Sequence, residues 1–365
     1  MPTLLTSLVP LVRALRADGY RVIGPTVRDG AIVLDELDSA DALPHGWGVT
    51  TAPGRYRLQR RDDSAAFGHA AGPQSWKAYL HPPRSPLWTA EKGTDGFTVT
   101  EAPEDTTRYA FLGVRGCDLR AIAIQDRVLG GVEGGYARRR KELFIVAVSC
   151  TEPADTCFCA STGCGPGVEA GFDLALTELA DGDTVRYVVE TGSAAGERLL
   201  ARLPGEPATG GVVDDARAAV AAAAGRMSRS LPEADLHELM VGSYDAARWD
   251  DVAARCLFCG NCTMVCPTCF CTTVEDVTDV AGGHAERWLR WDSCFDLDFS
   301  YLHGGPVRTS THSRYRQWLT HKLGTWHDQF GESGCAGCGR CIVWCPVGID
   351  ITEEAGALAV EKEEA

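Results

Sequence analysis

Short apolar stretches recur through the first 190 positions and predict β-strands. Four of them are rich in β-branched and aromatic residues, namely AIVLDEL (31–37), RYAFLGV (108–114), LFIVAVS (143–149) and TVRYVVE (184–190). Between the second and the third, DLRAIAIQDRVLG (118–130) has apolar residues at helical spacing after an aspartate that can cap a helix. The order strand, helix, strand predicts a βαβ unit, so we expect an α/β fold for the N-terminal part.

The first twenty residues, MPTLLTSLVPLVRALRADGY, have the pattern of an amphipathic helix. No basic region precedes the apolar residues, and Arg13, Arg16 and Asp18 interrupt them, so a secretion signal is not predicted. The sequence also contains no run of about 18 apolar residues, which a membrane-spanning helix needs. We therefore expect a cytoplasmic protein without membrane contact, in a compartment where clustered thiols bind metal more often than they form disulfides.

Three further segments carry turn or helix signals. HPPRSPLW (81–88) predicts a loop broken by prolines. The alanine-rich segment DDARAAVAAAAGRM (214–227) predicts a helix. The acidic end of the chain, EEAGALAVEKEEA (353–365), predicts a helix that is solvated or frayed.

Length and composition indicate two domains. The chain has 365 residues, and 45% of them are hydrophobic, which is enough for a core that needs no disulfides. Ser230, Pro232 and Glu233 mark the start of a new helix. We therefore predict an α/β domain over 1–228 and a second domain over 229–365. The net charge of −15 argues against nucleic acid as a partner, because a polyanion would be repelled.

The sixteen cysteines are unevenly distributed, and none precedes Cys117. CLFCGNCTMVCP (256–267) and CAGCGRCIVWCP (335–346) repeat one pattern, C-x2-C-x2-C-x3-C-P. This is the cysteine run of bacterial ferredoxins, which bind 4Fe-4S clusters. Zinc favours separated Cys-x2-Cys pairs or mixtures of cysteine and histidine, which these runs fit poorly. The second domain is therefore predicted to be a bacterial-type two-cluster ferredoxin domain with a long insertion.

In two-cluster ferredoxins the fourth cysteine of each run ligates the other cluster. Applied to this chain, that exchange predicts two ligand sets. Cluster one takes Cys256, Cys259, Cys262 and Cys345, and cluster two takes Cys266, Cys335, Cys338 and Cys341. Because the exchange ties the two runs together, we expect folding of the second domain to depend on bound iron.

Further cysteines precede the ferredoxin runs. Cys117 and Cys150 each follow a predicted strand, and Cys157 and Cys159 come shortly afterwards. Loops at the C-terminal ends of strands lie together in an α/β sheet, so these four thiols can converge on a third cluster. The alternative is a set of buried, inert thiols. Cys164 is a spare candidate for the same site.

Three cysteines in the second domain belong to neither run. Cys269 and Cys271 lie in CPTCFC, and Cys294 lies in RWDSCFD. They supply only three thiols, so a further cluster would need a fourth ligand such as Asp292 or His284, and no known motif describes such a set. The alternative is packing around cluster two.

Five motifs that contain cysteine follow one another along the chain. They are GVRGCDL (113–119), VSCTEPADTCFC (148–159), CLFCGNCTMVCPTCFC (256–271), RWDSC (290–294) and CAGCGRCIVWCP (335–346). This order resembles the beta subunit of cytosolic sulfhydrogenases, which are NAD(P)-linked nickel–iron hydrogenases, and it is similar to the A subunit of anaerobic sulfite reductase. PPRSPLW (82–88) looks like a proline loop of both. Cys164 matches no position of the pattern.

The resemblance implies a non-catalytic electron-transfer subunit of an oxidoreductase complex, without a substrate site of its own. Its partners would be a flavin- and NAD(P)-binding subunit and the small and large hydrogenase subunits, or else sulfite reductase subunits. The stretches AGCGRC and WDSC favour the hydrogenase type. A free-standing ferredoxin is a further hypothesis, which the large α/β domain disfavours. A structural metal-binding scaffold is another, which zinc in place of iron would favour.

Overall fold

The computed structural model describes residues 1–131 and 134–364. Its strands, in chain order, are Thr3–Leu5 (β1), Arg21–Arg28 (β2), Ala31–Glu36 (β3), Trp47–Ala52 (β4), Arg55–Arg60 (β5), Arg84–Gly93 (β6), Gly96–Glu101 (β7), Tyr109–Val114 (β8), Phe144–Val148 (β9), Leu174–Asp181 (β10), Thr184–Thr191 (β11), Glu206–Pro207 (β12), Thr272–Thr278 (β13), His284–Trp291 (β14), Tyr301–Leu302 (β15) and Gly305–Pro306 (β16).

Most of the helices are short. In chain order they are Val9–Ala17 (α1), Lys77–Leu80 (α2), Gly116–Leu129 (α3), Gly135–Lys141 (α4), Ala194–Leu200 (α5), Gly210–Gly225 (α6), Leu236–Gly242 (α7), Arg248–Arg255 (α8), Asn261–Met264 (α9), Thr311–Thr320 (α10), Trp326–Phe330 (α11), Arg340–Val343 (α12) and Ile351–Glu364 (α13). A π-helical turn over His321–Thr325 joins α10 to α11.

An eight-stranded mixed sheet forms the centre of the N-terminal half, in the order β12-β1-β11-β10-β9-β8-β2-β3. The neighbours β10, β9, β8 and β2 are parallel, and the outer strands pair antiparallel. The predicted βαβ unit is confirmed, because β8 leads into α3 and β9 returns beside β8 with Phe144 opposite Ala110. The C-terminal ends of these two strands therefore lie side by side.

Alternate residues of the central strands enter two different cores. Leu112 and Val146 pack on one face of the sheet under α1 and α5, and Phe111 and Ile145 pack on the other face under α2, α3 and α4. This alternation follows from the two-residue period of a strand. The sheet is covered on both sides, as is usual for parallel strands.

The first twenty residues do not form one helix, so that prediction was wrong in part. Residues Thr3–Leu5 are a strand between β11 and β12, and the helix begins only at Val9. Pro10 lies in the first turn of α1. Proline is tolerated there because that N–H has no partner within the helix, whereas it would break a helix running through it from the start of the chain.

The segment predicted as a proline-broken loop is also different. Residues Arg84–Gly93 form β6, which pairs with β14 on one side and β7 on the other. The register shifts between Arg287 and Trp288, which pair with Trp88 and Pro86 respectively. This bulge accommodates a proline that cannot donate a ladder hydrogen bond. Strands from both sides of position 228 thus share one sheet, in the order β13-β14-β6-β7.

Helices of the C-terminal half pack around a third core that contains Trp249, Tyr315, Trp318 and Leu323. The helix predicted to start at Ser230 begins instead at Leu236, because the carboxylate of Asp235 caps it by accepting the N–H of Glu238 at 3.0 Å. The alanine-rich segment forms α6, as predicted. No helix within 1–131 and 134–364 is long and apolar enough to cross a membrane.

The acidic C-terminal helix is packed and not frayed over its first turns, contrary to the prediction. In α13, Ala355 and Leu358 are fully buried in the third core, that of the C-terminal half. Glu354 is buried too, and its carboxylate forms ion pairs with Arg248 at 2.6 Å and Arg255 at 2.8 Å. These pairs compensate the charge, which allows an acidic helix to lie against the core. The final residue lies outside the described residues.

Candidate iron–sulfur sites

The two ferredoxin runs have the same local backbone. In each run the second residue after the first cysteine has a positive φ, 62° at Phe258 and 65° at Gly337. The fourth residue after the first cysteine also has a positive φ, 71° at Gly260 and 72° at Gly339. In both runs the backbone N–H of the second residue donates to the sulfur of the first cysteine over 3.4 Å. The sequence repeat is therefore a structural repeat, with N–H groups directed at sulfur as iron–sulfur sites use them.

The cysteines assigned to cluster one line one cavity, called the first cavity. The four are Cys256, Cys259, Cys262 and Cys345. Its walls are apolar, with Tyr315 and Trp318 among them, and Cys341 borders it from the second run. Burial raises the pKa of the Cys262 thiol well above its ordinary value. Because iron binds thiolate, loading this site must release protons.

One edge of the first cavity opens to solvent. Cys259 is the only exposed cysteine of the sixteen. Leu257 and Val347, which also line the cavity, are exposed apolar side chains. The first cavity is therefore the thiol site nearest to the surface.

The cysteines assigned to cluster two lie together at the centre of the C-terminal half. Burial, and then the neighbouring thiols of Cys335, Cys338 and Cys266, raise the pKa of Cys341 well above its ordinary value. The ammonium of Lys322 donates to Cys266 Sγ at 3.4 Å. A hydrogen bond from the Cys269 thiol and then this ammonium hold the pKa of Cys266 below its ordinary value. Burial instead raises the pKa of Cys335 to about 12.

The upstream cysteines converge as the strand order predicts. Cys117 lies in the first turn of α3 after β8, and Cys150 comes two residues after β9. With Cys157 and Cys159 they line another cavity, called the third cavity after the third cluster, which Cys338 of the second run also borders. Burial, and then the neighbouring Cys150 thiol, raises the pKa of Cys157 to about 12. The structure thus brings the four predicted thiols together, and their ligation of a third cluster stays a prediction.

Buried cations accompany the thiols. Arg115 lies beside Cys150 and Cys117, and Arg340, which forms an ion pair with Asp118 at 2.9 Å, lies beside Cys338 and Cys117. Both guanidinium groups are almost completely buried. Among the described residues Arg115 forms no ion pair with a carboxylate, and a buried cation is costly unless an anion, such as a thiolate-bound iron–sulfur cluster, compensates it. The donor set and its charge environment therefore fit such clusters.

Cys164 lies next to Cys117 and Cys159 but does not line their cavity. Its thiol donates to the carbonyl of Thr162 at 3.1 Å, within its own loop. This supports leaving Cys164 out of the ligand set.

The remaining three cysteines lie close to cluster two. The thiols of Cys271 and Cys294 are in hydrogen-bonding contact, and Cys269 contacts Cys266 in the same way. His284 is excluded as a fourth ligand. Its two ring nitrogens contact Glu91 at 2.6 Å and Glu286 at 3.0 Å, at the far end of β14 from Cys294.

Sequence analysis did not identify the buried lysines of this region. Lys77 and Lys322 are only 6% and 7% exposed, although lysine is almost never buried unless paired. Their apolar flanks, SWKAYL and LTHKLG, were a weak signal, because a lysine on a helix normally faces water. Across 1–131 and 134–364, no three His, Cys, Asp or Glu side chains are grouped to hold a single metal ion.

Comparisons with known proteins agree with this geometry. Residues 255–349 match the family described as a 4Fe-4S dicluster domain. The chain is 30% identical over 335 residues to sulfhydrogenase 2 subunit beta of Pyrococcus furiosus, an alignment that covers 90% of each protein. No solved structure matches it. With this identity over nearly the whole length, and with a dicluster domain in place, the chain belongs to the family of sulfhydrogenase beta subunits.

Proposed function

We propose that this iron–sulfur electron-transfer subunit relays single electrons between a flavin- and NAD(P)-binding subunit and the small subunit of a nickel–iron hydrogenase. The chain would hold two 4Fe-4S clusters in the ferredoxin domain and a third between Cys117, Cys150, Cys157 and Cys159. Each cluster, when bound, supplies one-electron redox chemistry. The residues of this chain hold the clusters apart from water and set their charge environment.

One observation gives the main support for the proposed relay. The second ferredoxin run contributes a cysteine to the border of each neighbouring cavity, Cys341 to the first and Cys338 to the third. Both cysteines are also assigned to cluster two. The three thiol sites are therefore contiguous along one segment, which is the arrangement that stepwise electron transfer needs.

The position of Cys259 supports an outlet at cluster one. It is the exposed thiol of the first cavity, with Leu257 exposed beside it. A partner that covers this edge would bring its own redox centre close to cluster one. We assign this face to a partner subunit. We also assign the chain to a reducing cytoplasm, the compartment in which free thiols of this kind persist.

The experiment is purification of the tagged chain from its own cells without oxygen, followed by metal and cofactor analysis of the complex. We expect a flavin and nickel to copurify with iron. Sirohaem without nickel would identify a sulfite reductase complex instead and overturn the hydrogenase assignment. Zinc in place of iron, with no flavin, would indicate a structural scaffold and overturn the relay.

A further inference from the structure

We propose that Cys269, Cys271 and Cys294 hold a further iron–sulfur centre beside cluster two. This inference rests on the proposed function only in that the chain carries iron–sulfur clusters. It assigns a role to the three thiols that neither ferredoxin run uses.

A hairpin fixes the position of two of these thiols. β13 begins directly after Cys271, β14 ends shortly before Cys294, and the first residue of β13, Thr272, pairs with Trp291 at the end of β14. The N–H of Asp292 then donates to the carbonyl of Cys271 at 2.8 Å. Residues 23 positions apart thus meet at the open end of the hairpin (294 − 271).

The thiols form one continuous set. The thiols of Cys271 and Cys294 are neighbours, and Cys294 also lies near Cys269. Cys269 contacts Cys266.

Two buried lysines supply the independent observation. Lys77 Nζ lies 3.0 Å from the Cys269 carbonyl and 3.7 Å from the centre of the Trp291 ring. Lys322 Nζ donates to Thr268 at 2.8 Å and to Cys266 Sγ at 3.4 Å. Within the described chain neither ammonium forms an ion pair with a carboxylate.

Burying an ammonium without an anion is costly, so these two lysines favour negative charge nearby. Cluster two accounts for the charge that Lys322 faces. Lys77 contacts the Cys269 carbonyl, and Cys266 and Cys271 are also among its neighbours. Thiolates bound to iron at Cys269, Cys271 and Cys294 would provide the missing anion.

Cys164 shows what an unused buried thiol looks like in this protein. It donates to the carbonyl of its own loop, and its nearest cation, Arg120, is already paired with Glu332. No uncompensated charge faces it. The contrast makes Cys164 the matched control.

The fourth ligand of the proposed centre must be a group other than cysteine. Asp292 lies between the hairpin and Cys294 in sequence, its N–H donates to the Cys271 carbonyl, and its carboxylate accepts the N–H of Ser293 at 2.7 Å. We assign Asp292 to this position. An oxygen ligand at one corner distinguishes this centre from the two ferredoxin clusters, which have complete cysteine sets.

The test is iron, acid-labile sulfide and electron paramagnetic resonance on anaerobically purified Cys294→Ser, Cys271→Ser and Cys164→Ser variants. We expect about three or four irons and one reduced-state signal to disappear from the first two. Cys164→Ser should keep the wild-type content. Wild-type iron and signals in Cys271→Ser and Cys294→Ser would overturn the inference. Zinc in place of iron in the wild type would contradict the proposed function as well.

A second measurement does not depend on the folding of those variants. Cys150→Ser removes a ligand of the third cavity only, so the two ferredoxin clusters and the further centre remain. We expect about 11 or 12 irons per chain in that variant. A content of about 8 would leave no iron for Cys269, Cys271 and Cys294, and would overturn the inference.

Discussion

Arg340 Nη2 lies 2.9 Å from the carboxylate of Asp118, and both side chains are almost completely buried, with 3% and 4% exposed. Asp118 follows Cys117, and Arg340 lies between Cys338 and Cys341. The ion pair therefore joins the third cavity to the second ferredoxin run. It fixes the spacing between two thiol sites that the sequence places more than 200 positions apart (340 − 118).

Replacing Asp118 by asparagine leaves the Arg340 guanidinium buried without its anion. We expect Asp118→Asn to lower the free energy of unfolding by about 3–5 kcal/mol. Asp214→Asn is the control, because the Asp214–Arg217 pair is exposed and should contribute less than about 1 kcal/mol. Denaturant unfolding of the iron-loaded variants measures both, and equal stabilities for the two would contradict this account of the ion pair.

Lys322 places a positive charge against a ligand of cluster two. A nearby cation favours the more negative, reduced state, so Lys322→Met should lower the reduction potential of one cluster. Lys362→Met is the control, because Lys362 is exposed and donates to the Glu238 carbonyl. A redox titration followed by electron paramagnetic resonance should show one signal shifted in the first variant and none in the second. Unchanged reduction potentials in Lys322→Met would show that Lys322 does not influence the potential of any cluster.

Gly337 approaches the third cavity closely. Its φ is +65°, and a Cβ there would lie 2.5 Å from Cys159 Cα. Gly331 has a similar φ of +70° but open space around it. Gly331→Ala should therefore cost about 1–2 kcal/mol of stability from backbone strain alone. Gly337→Ala should cost about 2–5 kcal/mol and reduce the iron content, because the clash adds to the strain.

Equal stability of the two alanine variants, each with the full iron content, would show that the Gly337 loop does not support the third site. The comparison separates strain from crowding, since both positions require a left-handed backbone.

His69 makes stability depend on pH. Burial, and then the positive charges of Arg115 and Arg61, lower the pKa of His69 to about 3. The unfolded chain then binds a proton near pH 6.5 that the folded chain does not, so stability falls as the pH drops from 6.5 towards 3. The slope approaches about 1.4 kcal/mol per pH unit for this one proton.

Unfolding of wild type and His69→Gln between pH 6.5 and 5 measures this slope. The variant should show a shallower decline, whereas His303→Gln, in an exposed turn, should keep the wild-type decline. Identical slopes in wild type and His69→Gln would exclude His69 as the source.

Spacing alone predicted the ferredoxin runs, because the pattern encodes a local loop whose geometry depends on few other residues. The convergence of Cys117 and Cys150 also followed from local information, since both come directly after neighbouring parallel strands. The strand containing Pro86 was not predictable in this way. Its pairing with β14 depends on residues about 200 positions away, and prolines normally argue against an inner strand.

The contact between Cys271 and Cys294 is another feature that the sequence did not reveal. It depends on the register of the β13–β14 hairpin. The alternation of apolar and polar residues does not determine that register when both faces of the hairpin are partly polar. The buried position of Lys322 likewise depends on the π-helical turn that carries it, and nothing in the local sequence predicts that turn.

The most direct test of the relay is the iron and acid-labile sulfide content of anaerobically purified wild type beside Cys150→Ser. The relay predicts at least about 12 irons per wild-type chain, or about 15 or 16 with the further centre, with equal sulfide and a loss of about four in the variant. About 8 irons in both proteins would mean that the upstream thiols hold no cluster, and would contradict a relay that extends through the whole chain.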